Sequence, residues 1–491
     1  LVLDTSLGNS GSYRSIIAEF AERGYNIHPE AVEIIRKRNF ENAIDEICKV
    51  LGNCVIITPE DVLKALEILN IKNDGKVGVE DGVKTKVEKI VEKFELKVRD
   101  ITGRSSCEGV VDDFIQNFSS RYEKIRKIFR GRINSIPIAS LKKVNQKEVS
   151  IIGIVTDVRE TSKGNYIIEI EDKTGKISVL ATAKLREVAS ELLGDEVIAV
   201  SGSFRNNMII ANRIVFPDVP QNDRKVEKDF GMVFISDIHF GSNTFLEKSW
   251  NAFVKWLNCE VGNEYMQEIA EKVRYLFIAG DVVDGVGIYP GQEKELEIFD
   301  IYGQYEEAGE QLEKIPKRIK IILSPGNHDA VRQAEPQPAL PKEFADLFPR
   351  NVKHVGNPAW VDADGVKVLI YHGRSIDDMI MKIPRLDYSD PSGVIEEMLK
   401  RRHLCPIYGG RTPLAPEKED LLVIDEVPDI VHTGHVHTYG ARYYRGILAL
   451  NSSTWQAQTE FQKKVNLNPM PGNVPVYVNG KLHRLRFYRS S

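Results

Sequence analysis

Apolar positions along this chain change period three times, and each change predicts a different kind of unit. Over residues 12–70 they recur at helical spacing. Ile16, Ile17 and Phe20 form one stripe, and Pro29 stands at a first helical position before Val32, Ile34 and Ile35. Thr58-Pro59 opens a further helix carrying Val62, Leu63, Leu66 and Leu69. The pattern predicts a small N-terminal helical domain for docking, without chemistry of its own. Residues 71–106 are rich in Lys, Glu, Asp and Gly and predict a solvated linker. Helical period returns over 107–147, where Phe114, Phe118, Tyr122, Ile125 and Phe129 line one face of a connector. Residues 1–11, beginning at Leu1, carry no pattern and are expected to be a disordered or processed end.

From 148 to 218 the period becomes two. Val149–Val158, Tyr166–Glu171 and Ile177–Ala183 read as strands, Lys184–Leu193 as a helix, and Val197–Phe204 and Met208–Phe216 as two more strands joined at Asn206-Asn207. Five strands with a helix between the third and fourth is the order of an OB-fold barrel. Such barrels often hold single strands on basic, aromatic grooves. This segment has 8 basic against 11 acidic side chains and few aromatics, which favours protein contact or spacing. A polar stretch, 219–228, then leads into residues 229–491, where apolar strand-like runs alternate with helical segments in α/β fashion. The expected fold class is therefore multidomain, α/β and β.

Composition narrows the classes of function. The 491 residues carry 66 Lys+Arg against 71 Asp+Glu, a net charge of −5, which excludes a polycation that coats DNA or membranes. The 5 cysteines form no C-x-x-C pair and fit a reducing, cytoplasmic setting rather than a disulfide framework. No apolar run reaches the roughly 18 residues of a membrane span.

Half of the 10 histidines lie in short motifs, each after a predicted strand. These are Asp237-Ile238-His239, Gly280-Asp281-Val282-Val283-Asp284, Gly326-Asn327-His328-Asp329, Tyr371-His372-Gly373 and Gly434-His435-Val436-His437. In open α/β sheets, ligand sites gather at the carboxyl ends of the strands. Two cations ~3.5–4 Å apart need a shared carboxylate and several nitrogen and oxygen ligands, and Asp281 is the natural bridge. Asp237 and His239, two residues apart on an extended strand end, can serve one metal together. His435 and His437 can share a metal or divide between two, and Asn327 and His372 complete the set. Without cysteine, these ligands suit Mn²⁺, Fe or Zn²⁺ rather than a structural zinc. His28, His354, His403, His432 and His483 stand outside the motifs and read as structural.

The five motifs resemble the calcineurin-like metallophosphoesterase superfamily, matched without a gap. Further stretches, Gly285–Pro290, Ala330–Pro338 and Asn451–Gln456, resemble the small-subunit family of archaeal D-family DNA polymerases, and the likeness extends over residues 110–491. The resemblance implies an OB-fold barrel followed by a calcineurin-like α/β sandwich. It also implies a proofreading 3′→5′ exonuclease inside a heterodimeric replicative polymerase. Its metal ligands would be Asp237, His239, Asp281, Asn327, His372, His435 and His437, holding two divalent ions, Mn²⁺ foremost. His328 would be no ligand but would assist the leaving group, with Asp329 as its orienting partner. Implied partners are a large catalytic subunit, single-stranded or mismatched 3′ ends of DNA, and a sliding clamp.

Candidate phosphate contacts are Arg332, Arg374, Lys382, Arg385 and the run Lys400-Arg401-Arg402-His403. Trp455, Phe461 and the Gly/Pro-rich stretch 466–475 are candidates for a partner-docking surface. Two other functions fit the motifs: an independent phosphoesterase acting on small esters, and a non-catalytic assembly subunit with a vestigial site. The first leaves the barrel unexplained, and the second leaves the complete ligand set unexplained.

Overall fold

A computed structural model describes residues 16–21, 23, 26–37, 44–51, 56–57, 59–68, 94–143, 148–224, 226, 228–464 and 467–488. The chain separates into two units, Leu1–Phe94 and Glu95–Ser491. The expected disordered end and residues 71–93 of the expected linker lie outside the described residues.

In the first unit, helices Pro29–Lys37, Ile44–Leu51 and Pro59–Ile68 bury Val32, Ile35, Ile47, Val62 and Leu66 with Ile16 and Phe20 in one cluster. A parallel pair, Asn26–Ile27 with Ile56–Ile57, accompanies them. Two residues per strand are too few to show any period in the sequence.

The second unit begins inside the segment expected to be linker. Leu96–Arg99 is a strand paired antiparallel with Ala359–Ala363. Its four residues lie in a charge-rich stretch, and its partner is more than 250 residues away, so no local pattern displays it. Arg99 fixes the strand by donating to both carboxylate oxygens of Asp425, at 2.9 and 2.8 Å.

Helix Val111–Ile128 follows. Tyr122, Ile125 and Phe129 bury their rings and branches against Ile152, Ile154 and Val197 of the barrel, as a helical stripe should. The barrel is closed and five-stranded, in the order Val149–Glu160, Tyr166–Asp172, Gly175–Ala181, Met208–Val215, Val197–Arg205. The Asn206-Asn207 turn has φ of 50° and 60°, the left-handed pair that a two-residue hairpin requires and asparagine tolerates.

Two mixed six-stranded sheets complete the unit. The first runs Val352–His354, Lys320–Ser324, Val273–Ala279, Gly231–Ile235, Asn473–Val478, Lys481–Arg486. The second runs Tyr439–Tyr444, Ile447–Ser452, Ile430–Thr433, Val366–Ile370, Ala359–Ala363, Leu96–Arg99. They touch where Phe234 meets His432 edge-on at 5.1 Å. His432 is fully buried, and burial pushes its pKa down to about 3, consistent with a core residue. Each sheet has parallel strands at its centre, buried but for Arg274, Lys320 and Lys367, and the motifs that follow those strands share one end of the fold. No helix among the described residues is long and apolar enough to cross a membrane.

Candidate active site

Each motif leaves its strand through an abrupt turn. Asp237, His239, Asp281, His435 and His437 have φ of 50°, 57°, 49°, 73° and 58°, a region that non-glycine residues seldom occupy. Asp237 and His239 are therefore not on an extended strand end, as their spacing suggested. The backbone is held in these turns by its neighbours: Asp237 and Ile238 donate to the carbonyls of Gly280 and Asp281, at 2.9 and 2.8 Å. Strain concentrated in this way is characteristic of functional sites. The motif glycines are there for room. A Cβ on Gly326 would strike Asp281, and one on Gly434 would strike Asp237 and Ser236.

The turns gather the side chains into three groups, each with ligand atoms within 4.8 Å of one another: Asp237, His239 and His437; His239, Asp284 and His328; Asp281, His372 and His435. The G-H-x-H pair thus divides, His437 to one group and His435 to another. Nε2 of His239 lies 3.1 Å from Nε2 of His437, and Asp237 Oδ1 is 3.4 Å from the latter. Asn327 Oδ1 and Asp281 Oδ2 lie 3.0 and 3.3 Å from His372 Nε2.

These contacts test whether cations fit. His372 Nδ1 must donate to the carbonyl of Ala279, 2.8 Å away, so in the neutral ring Nε2 presents a lone pair. That lone pair faces two oxygen acceptors, an arrangement relieved by a positive charge among them. The electrostatics agree. Burial opposes charging His372, yet the carboxylates of Asp281 and Asp237 hold its pKa up to about 10. Burial likewise opposes ionisation of Asp281, but the surrounding imidazoles, His372 first, keep it well below the usual carboxylate range. The donor set of imidazole, carboxylate and amide oxygen suits a divalent first-row transition metal. Adding Mn²⁺ at a hundred times its Kd is expected to stabilise the folded protein by about 2.7 kcal/mol. Thermal melts with Mn²⁺ and with EDTA measure this, and coincident melts would reject a preformed cation site.

His328 lies among the group yet is oriented differently. Its Nδ1 donates to the carbonyl of Asp284 at 2.7 Å, its backbone N–H to Asp281 Oδ1 at 2.9 Å, and its Nε2 stands 3.9 Å from Asp281 Oδ2. The expectation that Asp329 orients His328 is corrected. Asp329 accepts from the Gly326 N–H at 2.8 Å and the Tyr305 hydroxyl at 3.2 Å, and so braces the loop. Burial and the nearby Asp281 push its carboxyl up to about 6. The orienting group is the Asp284 backbone.

Sequence reasoning assigned no role to Asp284, although its place in G-D-x-x-D was a usable signal. Its carboxylate lies 3.0 Å from His239 Nδ1 and accepts from Gln292 and Gln456, both at 3.0 Å. Asp377 was also missed. It reaches His435 Nε2 at 3.4 Å and accepts from the Tyr388 hydroxyl at 3.0 Å. Five residues beyond His372, on another element, it carries no sequence signal. Gln462, 2.8 Å from His437 Nδ1, was equally invisible.

A cavity of about 330 Å³ opens onto this cluster and is lined by His239, Asp281, Asn327, His328, His435 and His437, with Ile288, Tyr289, Gln333, Arg374, Asp377, Tyr388 and Arg411 toward its mouth. Of the candidate phosphate contacts, only Arg374 lines it. Arg332 is committed to Glu417 at 2.9 Å and to Ser105 at 2.5 Å. Arg401 is buried, bound to Glu196 at 2.9 Å and to Glu397. Arg402 is buried and donates to the Ile424 carbonyl at 2.6 Å, and His403 is buried against Asp420 at 3.0 Å. Arg385 spans Glu191 and Glu397, and Lys400 lies over the Phe216 ring at 4.7 Å. Within the basic run Arg401 thus fastens the barrel to the α/β sheets, while Arg402 and His403 are buried against Ile424 and Asp420, partners that linear sequence cannot pair with them. Trp455 is likewise core, edge-on to Trp250 at 5.2 Å, not a docking surface. The Phe461 side chain and residue 466 lie outside what is described.

Residues 232–441 match the family model that describes the B subunits of DNA polymerases alpha and epsilon. The DNA polymerase II small subunit of Archaeoglobus fulgidus is 57% identical over 479 residues, covering 96% of this chain and 98% of its own. That of Methanothermobacter thermautotrophicus is 43% identical over 482 residues, covering 96% and 99%. That of Methanocaldococcus jannaschii is 42% identical over 401 residues, covering 79% and 67%. With such identity along nearly the whole of both chains, and with a turn-bound cluster of histidines and carboxylates inside the matched region, this chain belongs to the family of archaeal DNA polymerase II (D-family) small subunits.

Proposed function

We propose that this chain is a metal-dependent 3′→5′ exodeoxyribonuclease that proofreads for a replicative polymerase whose large subunit carries the polymerising site. On this reading the closed barrel is an OB-fold and the two sheets form a calcineurin-like phosphoesterase. The observation that carries the proposal is the clustering of histidines, carboxylates and Asn327 from five loops, with His239, Asp281, Asn327, His435 and His437 lining one cavity and His328 beside them, its Nδ1 taken up by the Asp284 carbonyl.

Asp237, His239 and His437 would hold one cation, and Asn327, His372 and His435 another, with Asp281 as the carboxylate between them. Two divalent ions in such a site supply water activation and charge neutralisation on the phosphoryl oxygens. The chain does the rest. Asp284 fixes the ring of His239 through Nδ1, and Gln462 does so for His437, an outer support that keeps ligand nitrogens aimed inward. His328 is held with Nε2 toward the cavity. Burial lowers its pKa; the negative charge of an entering phosphodiester raises it again, so that the ring takes up a proton from solvent, which Nε2 then donates to the departing 3′-oxygen. A cavity of about 330 Å³ admits one nucleotide and no duplex, so an unpaired 3′ end is the fitting substrate.

The names of the relatives supply the setting: a small subunit of a DNA polymerase implies a large one and DNA as partners. A sliding clamp is a further partner on the proposed reading alone. The test is digestion of single-stranded DNA with Mn²⁺, labelled at either end, with the subunit alone and with its large chain. Release of 5′-mononucleotides from the 3′ label, stopped by EDTA, is expected. Turnover of a small chromogenic diester with none of DNA would favour an independent phosphoesterase instead.

A further inference from the structure

The arginine at 411 escaped sequence reasoning, and among the arginines considered above only Arg374 shares its place on the cavity lining. Arg411 is exposed and lines the mouth of the cavity. The turn that carries it is pinned from beneath by Asp378, a 2% exposed carboxylate on the helix Ile376–Lys382. Asp378 accepts from the Arg411 N–H at 2.6 Å, the Thr412 N–H at 3.0 Å and the Thr412 hydroxyl at 2.7 Å. Burial of a carboxylate is costly unless its lone pairs are filled, and here they are filled by the turn alone. The result is a rigid mount that delivers one guanidinium to the rim.

Arg374, on the same cavity lining, donates to the carbonyl and side-chain oxygens of Gln333 at 3.1 and 3.0 Å, both neutral partners. Among the described residues neither Arg374 nor Arg411 is within ion-pair distance of a carboxylate, whereas Arg332, Arg385 and Arg401 all are. Charge on the rim is thus left for an anion. The interior beyond it, with Asp237, Asp281, Asp284 and Asp377, repels one until cations are present. A planar guanidinium is the side chain that best matches a phosphate by paired hydrogen bonds, and here the backbone that carries it is fixed.

We propose that Arg411, together with Arg374, holds the phosphate next to the scissile one, so that the site selects a polynucleotide chain over a diester with a single phosphate. The proposal rests on the nuclease reading and adds to it the residue that recognises the chain.

The test compares thymidine 5′-p-nitrophenyl phosphate, which has one phosphodiester, with a short oligothymidylate, using wild type, Arg411→Gln, Arg411→Lys and Arg374→Gln. Oligothymidylate binding is followed in parallel by fluorescence anisotropy with Ca²⁺ replacing Mn²⁺. Arg411→Gln is expected to lower the ratio of kcat/KM values, oligonucleotide over single diester, by about tenfold or more, through KM. Arg411→Lys should recover part of it, and anisotropy should show a matching loss of affinity. An unchanged ratio in Arg411→Gln, or equal losses on both substrates with unaltered anisotropy, overturns the role of Arg411. If wild type itself cleaves the single diester and not the oligonucleotide, the nuclease reading fails before any variant is measured.

Discussion

Replacing Asp281 with Asn is expected to abolish Mn²⁺-dependent hydrolysis, a loss of at least about 10³-fold in kcat, and the stabilisation by Mn²⁺ with it. The change keeps shape and removes charge. Asp281 is 2% exposed, and its oxygens meet His372 and the His328 backbone, so an amide there retains an acceptor for the N–H while losing the negative charge that cations require. The metal-free variant should fold, and its His372 should lose the first cause of its raised pKa, making the imidazole easier to deprotonate. His328→Ala provides the contrast. It leaves the proposed ligands in place, so Mn²⁺ should still raise the melting temperature while kcat falls by about 10²–10⁴-fold. Equal loss of metal stabilisation in both variants would mean that His328 is itself a ligand. Retained hydrolysis in Asp281→Asn would mean that the chemistry lies elsewhere.

Arg401→Ala is expected to cost about 3–5 kcal/mol of stability, the penalty for leaving buried carboxylates without their cation. The side chain is wholly buried between Glu196 of the barrel and Glu397 of the helix Pro391–Arg401, donates to the Glu191 carbonyl at 2.8 Å, and lies over the Phe216 ring at 5.0 Å. Because the contacts are shielded from solvent, added salt should barely change the loss, unlike a surface pair. Urea unfolding at low and high ionic strength measures both. A loss below about 1 kcal/mol, or one that salt removes, would show that the barrel is not fastened here.

The comparison of Arg401 with Arg411 shows why part of this site was illegible in the sequence. Both are arginines near short motifs, and composition treats them alike. Their fates are set by what lies opposite: Glu196, some 200 residues away, for the first; an open cavity mouth for the second. The same reason hid the strand Leu96–Arg99, whose partner lies far along the chain, and Asp377, which meets His435 only after folding. Asp329, by contrast, was misjudged because adjacency in sequence suggested contact with His328, and the turn sends the two side chains to different partners.

What the sequence determined by itself was everything governed by local period and local chemistry. Alternation of apolar residues marked the barrel strands, Asn206-Asn207 marked the turn between two of them, and buried strands followed by Asp, His and Asn marked the five loops. Those signals survive because backbone hydrogen bonding and side-chain alternation act over a few residues. Tertiary structure alone decided which ligands share a group, which carbonyl orients His328, and which cations face solvent. These depend on desolvation and pairing between distant segments, where a carboxylate a few ångströms away converts a mobile surface charge into a buried strut.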